Sequence, residues 1–233
     1  MKRMHGGVWH WILWMGVITM GCSVPDPNTL RIDLSHGRIE FPGVIYPERY
    51  NTRTDRANGH HFIVWSGGTN AEKALINTDV PDERILAGLE ALGAAPGNNL
   101  TEATWTERFN ENSPAPDRRV EGARLKIVVS WEGMARPAYE LLEGATESDL
   151  DIRFGGYEAL IPLWRSGCVT CLFSCPGGRT SNAAFTIRDQ ALNRKSFRAE
   201  RSKLPADGTP VRVIIQPVRE ELPSPAASSA ASD

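Results

Sequence analysis

The segment Arg124-Leu125-Lys126-Ile127-Val128-Val129-Ser130-Trp131 alternates apolar and polar side chains, and this constrains the fold more than any other feature of the chain. A period of two puts Leu125, Ile127, Val129 and Trp131 on one face of a strand, and Val128 on the other face marks that strand as central. Residues 30–34 and 38–41, with Gly37 between them, predict an opening hairpin. Residues 61–65 read as a more buried strand ended by Ser66-Gly67-Gly68, and further strands are predicted at 151–154, 184–187 and 211–215.

One main helix is predicted over about residues 80–92. Asp79 is its expected N-cap, Pro81 lies in the first turn, Gly93 takes the left-handed position after the end, and Ile85, Leu86, Leu89 and Leu92 form the buried stripe. A weaker helix is expected over 138–142. Strands with one main helix and no βαβ alternation predict an α+β single domain built on a largely antiparallel sheet. Residues 94–119, punctuated by Pro96, Gly97, Pro114 and Pro116, read as a surface excursion of a length often tied to function.

The N-terminus carries an address. Lys2, Arg3 and His5 precede an apolar run from Gly6 to Gly21, too short for the ~20 residues of a permanent transmembrane helix, so residues 1–21 read as a signal peptide. Gly21-Cys22 resembles a lipobox junction, which makes Cys22 the expected lipidation site and new N-terminus. Ser23 gives no inner-membrane retention signal, so the expected location is the bacterial envelope, lipid-anchored and facing the periplasm, with the outer membrane favoured in a Gram-negative host. Residues 22–28 then form a tether, 29–217 the domain, and 218–233 a disordered tail poor in large apolar groups. The formal charge of −2, or −4 once Lys2 and Arg3 are lost, gives no basic field for nucleic acid.

The chain resembles the YdjY-like domain of exported bacterial proteins. The resemblance rests on the strand His61 to Trp65, the Gly67-Gly68 turn, the run Ala71-Glu72-Lys73-Ala74-Leu75-Ile76-Asn77-Thr78-Asp79-Val80, the helix ending Leu89-Glu90-Ala91-Leu92-Gly93, then Ala95-Pro96-Gly97 and Val129-Ser130-Trp131. It implies a secreted or lipid-anchored protein without a settled activity. Many members carry a His-Glu pair after the glycine turn. Ala71-Glu72 stands there in this chain, so only Glu72 carries over.

The chemically loaded segment is Cys168-Val-Thr-Cys171-Leu-Phe-Ser-Cys175, followed by Pro176-Gly177-Gly178, which reads as a loop. In an oxidising envelope one disulfide among Cys168, Cys171 and Cys175, with one thiol left over, is the first expectation. Zinc or another soft metal such as Cu(I) is the second, with His60 or His61 as an extra ligand. Three reduced thiols are the third. An iron–sulfur cluster comes last, because the first ligand of the ferredoxin run falls at Arg165. Neighbouring strand residues point to opposite faces, so only one of His60 and His61 is expected to join any one site.

No Walker, dinucleotide-binding, calcium-loop or Ser-His-Asp arrangement is visible, so no catalytic residue is assigned and the cofactor is open. The function that follows is a binding or accessory module of the envelope, attached through its N-terminal lipid and able to meet another envelope protein. The alternative is a redox, electron-transfer or metal-binding protein that uses the same three cysteines.

Overall fold

The alternating segments pair around a closed ring instead of an open sheet. In the computed structural model, residues 29–54 and 59–218 are described. The expected signal peptide, the tether with Cys22, and the tail beyond Val218 lie outside them. The strands are β1 (Arg31–Asp33), β2 (Arg38–Ile45), β3 (His61–Trp65), β4 (Ile76–Thr78), β5 (Arg124–Trp131), β6 (Met134–Pro137), β7 (Ile152–Phe154), β8 (Cys168–Cys171), β9 (Thr180–Asn182) and β10 (Thr209–Pro217). Hydrogen-bonded neighbours run β2-β10-β5-β7-β9-β8-β3-β4, and β4 pairs back onto β2. The result is a closed eight-stranded β-barrel with only small helices, which overturns the expected α+β fold with one main helix.

The longer strands make the closure possible. One edge of β2 pairs with β10 over seven positions, while its other edge serves β1 near the start and β4 at Val44 and Ile45. Strand β5 works the same way, with β10 on one edge and β7 and β6 in succession on the other. Alternation then fills the interior: Ile39, Phe41, Ile127, Val129, Val213 and Ile215 are all buried. Each such side chain contributes roughly 1.5–3 kcal/mol by leaving water.

The helices are α1 (Pro47–Thr54), α2 (Asp82–Ala91), α3 (Glu102–Thr106), α4 (Ile161–Trp164) and α5 (Ile187–Ala191). The predicted stripe Ile85, Leu86 and Leu89 is buried on α2, and Gly93 follows with φ +78°, but Pro81 and not Asp79 takes the N-cap. Residues 138–141 form only a 3-10 turn. The strand expected at 184–187 is absent: pairing with β7 falls at Thr180–Asn182, and Thr186 instead caps α5 by accepting from the Asp189 N–H. There the hydroxyl competes with the ladder for the backbone and wins.

Closure requires a close approach at Gly43. A side chain there would meet the Ile76 methyl at 2.9 Å and the Asn77 carbonyl at 3.0 Å, in the register where β4 joins β2. Gly43→Ala is therefore expected to cost about 1–3 kcal/mol through overpacking, read as a lower denaturant midpoint. Unchanged stability would show that the β2–β4 seam is looser than this.

Candidate functional site

Strands β8 and β9 run parallel, Thr170 beside Thr180 and Cys171 beside Ser181, yet residues 172–179 alone connect them. Parallel neighbours ordinarily need a dozen or more residues. This connection does not loop over the surface: residues 172–179 are all buried. Its peptide groups must then find partners inside the protein. The Leu172 N–H donates to the His60 carbonyl and the Ser174 N–H to the Phe185 carbonyl, both at 2.8 Å. Ser181 Oγ donates to the Cys175 carbonyl at 2.9 Å. Ser166 Oγ and Arg179 Nη2 each donate to the Gly177 carbonyl at 3.0 Å.

Arg179 ties the loop to the rest of the barrel. Its side chain is 1% exposed, Nη1 donates to the carbonyls of Gly156 and Tyr157 at 3.1 and 2.6 Å, and Nε lies 3.5 Å from Asp82 Oδ2 at the start of α2. Burial lowers the Arg179 pKa and raises that of Asp82, and each partner's charge opposes the shift of the other. Removing one member would leave the other charge buried and unpaired.

This loop floors a cavity of about 430 Å³. Cys168 from β8 and Cys175 and Gly177 from the loop form one wall, with Trp164 of α4 beside them; a side chain on Gly177 would strike the indole ring at 2.9 Å. His60, His61, Asn70 and Lys73 come from β3 and the turn after it. Glu102, Trp105 and Thr106 come from α3. The Gly67-Gly68 turn brings the histidines and the cysteine strand together: the Thr69 N–H donates to the Arg165 carbonyl at 3.0 Å, and Gly68 lies directly against the Ser166 carbonyl, leaving no room for a side chain.

Both histidines line the cavity, against the expectation that only one could. Their ring centroids are 3.8 Å apart. His60 precedes the first paired residue of β3, and the β3–β8 register shifts on both sides of Ile63, so the simple alternation of faces does not hold here. His61 is 7% exposed and its Nδ1 is buried without a hydrogen-bond partner. Burial holds its pKa well below the ordinary value, and the neighbouring His60 and Lys73 act in the same direction.

The three cysteines are buried free thiols. Burial, and after it the neighbouring Cys168 thiol, pushes the Cys171 thiol well up; for Cys175 the neighbouring Cys171 thiol comes first and burial second. Among the described residues, no group of three or more His, Cys, Asp or Glu side chains is arranged to hold a metal ion. A closed tetrahedral zinc site or a cubane is therefore not preformed here. Glu72 lies outside the cavity with a 70% exposed side chain, 3.5 Å from Arg53 and 3.9 Å from Arg49.

The sequence reading missed Trp105, Trp164 and Lys73. Trp105 sits in the 94–119 excursion, and its aromatic ring in an otherwise polar stretch was the available signal. That excursion is tied down, with the Asp117 carboxylate accepting from Arg188 Nε at 2.8 and 2.9 Å.

The neutral His61 makes stability depend on pH. Unfolded His61 takes up a proton near its ordinary pKa of 6.5, whereas the folded protein resists it. The contribution is full above about pH 6.5 and is lost as pH falls below that value, by up to about 1.4 kcal/mol per pH unit. His61→Asn should flatten the fall in urea midpoint between about pH 7 and pH 5, relative to the wild-type chain. Parallel curves for the two proteins would show that the imidazole is not held neutral.

A protein of Escherichia coli (strain K12) described as uncharacterized protein YdjY is 33% identical over 188 residues, covering 79% of this chain and 76% of that relative. No solved structure matches significantly. The YdjY domain family matches residues 30–216, from the opening hairpin to the last strand of the barrel. The span takes in the cavity together with Cys168, Cys171 and Cys175, and the chain belongs to the YdjY domain family.

Proposed function

We propose that this protein is a lipid-anchored binding module of the bacterial envelope whose ligand is a small molecule held in the cavity between Trp105, Trp164 and the two histidines. The observation that carries the reading is the cavity itself. Its volume, about 430 Å³, falls in the range of small-molecule sites, and aromatic walls with a few convergent polar groups are what such sites use. Trp105 and Trp164 offer flat apolar surface. Lys73, Asn70 and the unpartnered Nδ1 of His61 offer polar contacts that would fix the orientation of a ligand.

Thiol–disulfide redox chemistry is the second reading, and it has less support. An attacking cysteine needs thiolate character and access, whereas Cys171 and Cys175 are buried and held in the protonated form. The anchor rests on sequence alone, through the basic start, the short apolar run and Gly21-Cys22.

Two measurements test this function. Native mass spectrometry of the full chain, extracted in detergent from the envelope, should show a co-purifying small organic molecule that is lost in Trp105→Ala. A wild-type protein with no bound mass, and no thermal shift across a panel of small aromatic acids and amines, would sink the binding reading. Cys22→Ser should move most of the protein from the membrane to the soluble fraction. Unchanged membrane attachment in that variant would remove the lipid anchor.

A further inference from the structure

Among the described residues the cavity wall carries one ammonium, Lys73, and one carboxylate, Glu102, and both residues are exposed. Lys73 Nζ donates to Asn70 Oδ1 at 3.1 Å, and no ion pair among the described residues joins Lys73 or Glu102 to an opposite charge. With Oδ1 taken by Lys73, the side-chain amide of Asn70 has only its N–H groups to offer a ligand. This corner therefore presents donors alone, one of them charged, and it suits a carboxylate.

Glu102 stands on a different element. It precedes Trp105 by three residues on α3, a spacing that makes the two side chains neighbours on the helix surface. The indole is fixed from more than one side: the Arg108 guanidinium carbon lies 4.3 Å from the Trp105 ring centroid, Arg108 Nη1 donates to the Trp105 carbonyl at 2.8 Å, and the His60 ring is centred 6.0 Å away. His61 lies deeper, 7% exposed, with no hydrogen-bond partner for its Nδ1. A neutral imidazole has one donor and one acceptor, and a hydroxyl, which both donates and accepts, satisfies it in either tautomer. The ionic groups thus belong to the mouth of the cavity and the uncharged polar group to its depth.

We propose that the cavity takes a free aromatic α-amino acid with a ring hydroxyl, of the tyrosine type. Its carboxylate meets Lys73 and Asn70, its ammonium meets Glu102, its ring lies between Trp105 and Trp164, and its hydroxyl reaches the His61 imidazole. This names the ligand class for the small-molecule reading of the cavity and rests on that reading. An aromatic acid would leave Glu102 without a counterion, and an aromatic amine would do the same to Lys73. A zwitterion matches both and brings no net charge into a cavity whose buried groups are neutral.

The test is calorimetric titration of the full chain, extracted in detergent and dialysed, with four probes: L-tyrosine, tyramine, 3-(4-hydroxyphenyl)propionate and L-phenylalanine. L-Tyrosine should bind one to one, and each of the others, lacking the carboxylate, the ammonium or the hydroxyl, should bind about tenfold more weakly or worse. Two variants at exposed positions then assign the ends of the ligand. Lys73→Gln should weaken L-tyrosine and the propionate but leave tyramine unchanged, and Glu102→Gln should weaken L-tyrosine and tyramine but leave the propionate unchanged. Either analogue binding as tightly as L-tyrosine, or a charge variant that weakens all four probes equally, would overturn the proposal, and equal affinity for L-phenylalanine would overturn the role given to His61. An aromatic acid or amine that binds better than L-tyrosine and is lost in Trp105→Ala leaves the small-molecule function standing and removes only the amino acid. Absence of binding by every probe, with no co-purifying molecule, removes both.

Discussion

Burying the connection from Cys171 to Thr180 is the constraint on which the rest of this protein depends. A chain segment taken out of water must have its peptide groups satisfied from within, and here several of its carbonyls accept from side chains: Ser166, Ser181, Asn182 and above all Arg179. Those residues belong to the entry of β8, to β9 and to the loop itself, so the barrel wall and the site are a single hydrogen-bonded unit. Arg179 extends the unit to Gly156, Tyr157 and the start of α2. A guanidinium in that position is costly unless every carbonyl around it stays in place.

The barrel supplies the rigidity that this arrangement needs. Its long strands β2 and β5 each serve two partners on one edge, which lets short strands such as β4, β7 and β9 complete the ring. Of these, β9 pairs with β8 on the far side of the cysteine loop and with β7 beyond. Irregular pairing between β3 and β8 then turns both histidines into the same cavity, where a regular ladder would have separated them. Site and closure are coupled through the β3–β4 pair, because β4 both closes the ring on β2 and continues the turn that carries Asn70 and Lys73.

Electrostatically the site favours neutral forms. Burial keeps His61 unprotonated and Cys171 and Cys175 protonated, while Arg179 and Asp82 each oppose the shift that burial imposes on the other. Such a cavity receives a neutral or weakly charged ligand without reorganising.

The sequence by itself determined the local elements whose cause is local. Period-two alternation gave β5 and β10, Gly37 gave the β1–β2 turn, and Gly93 gave the end of α2. It also singled out Cys168, Cys171, Cys175, His60 and His61, which share one region of the folded protein. The tertiary structure alone decided that the sheet closes, because closure depends on Gly43 meeting Ile76 and Asn77 across more than thirty residues of chain. It alone decided that Thr186 caps a helix instead of extending a strand, that Glu72 faces solvent, and that Trp105 and Trp164 join the histidines. These are long-range pairings, and composition and spacing describe only what a residue can do beside its neighbours in the chain. Which distant partner it meets is fixed by the burial of the whole.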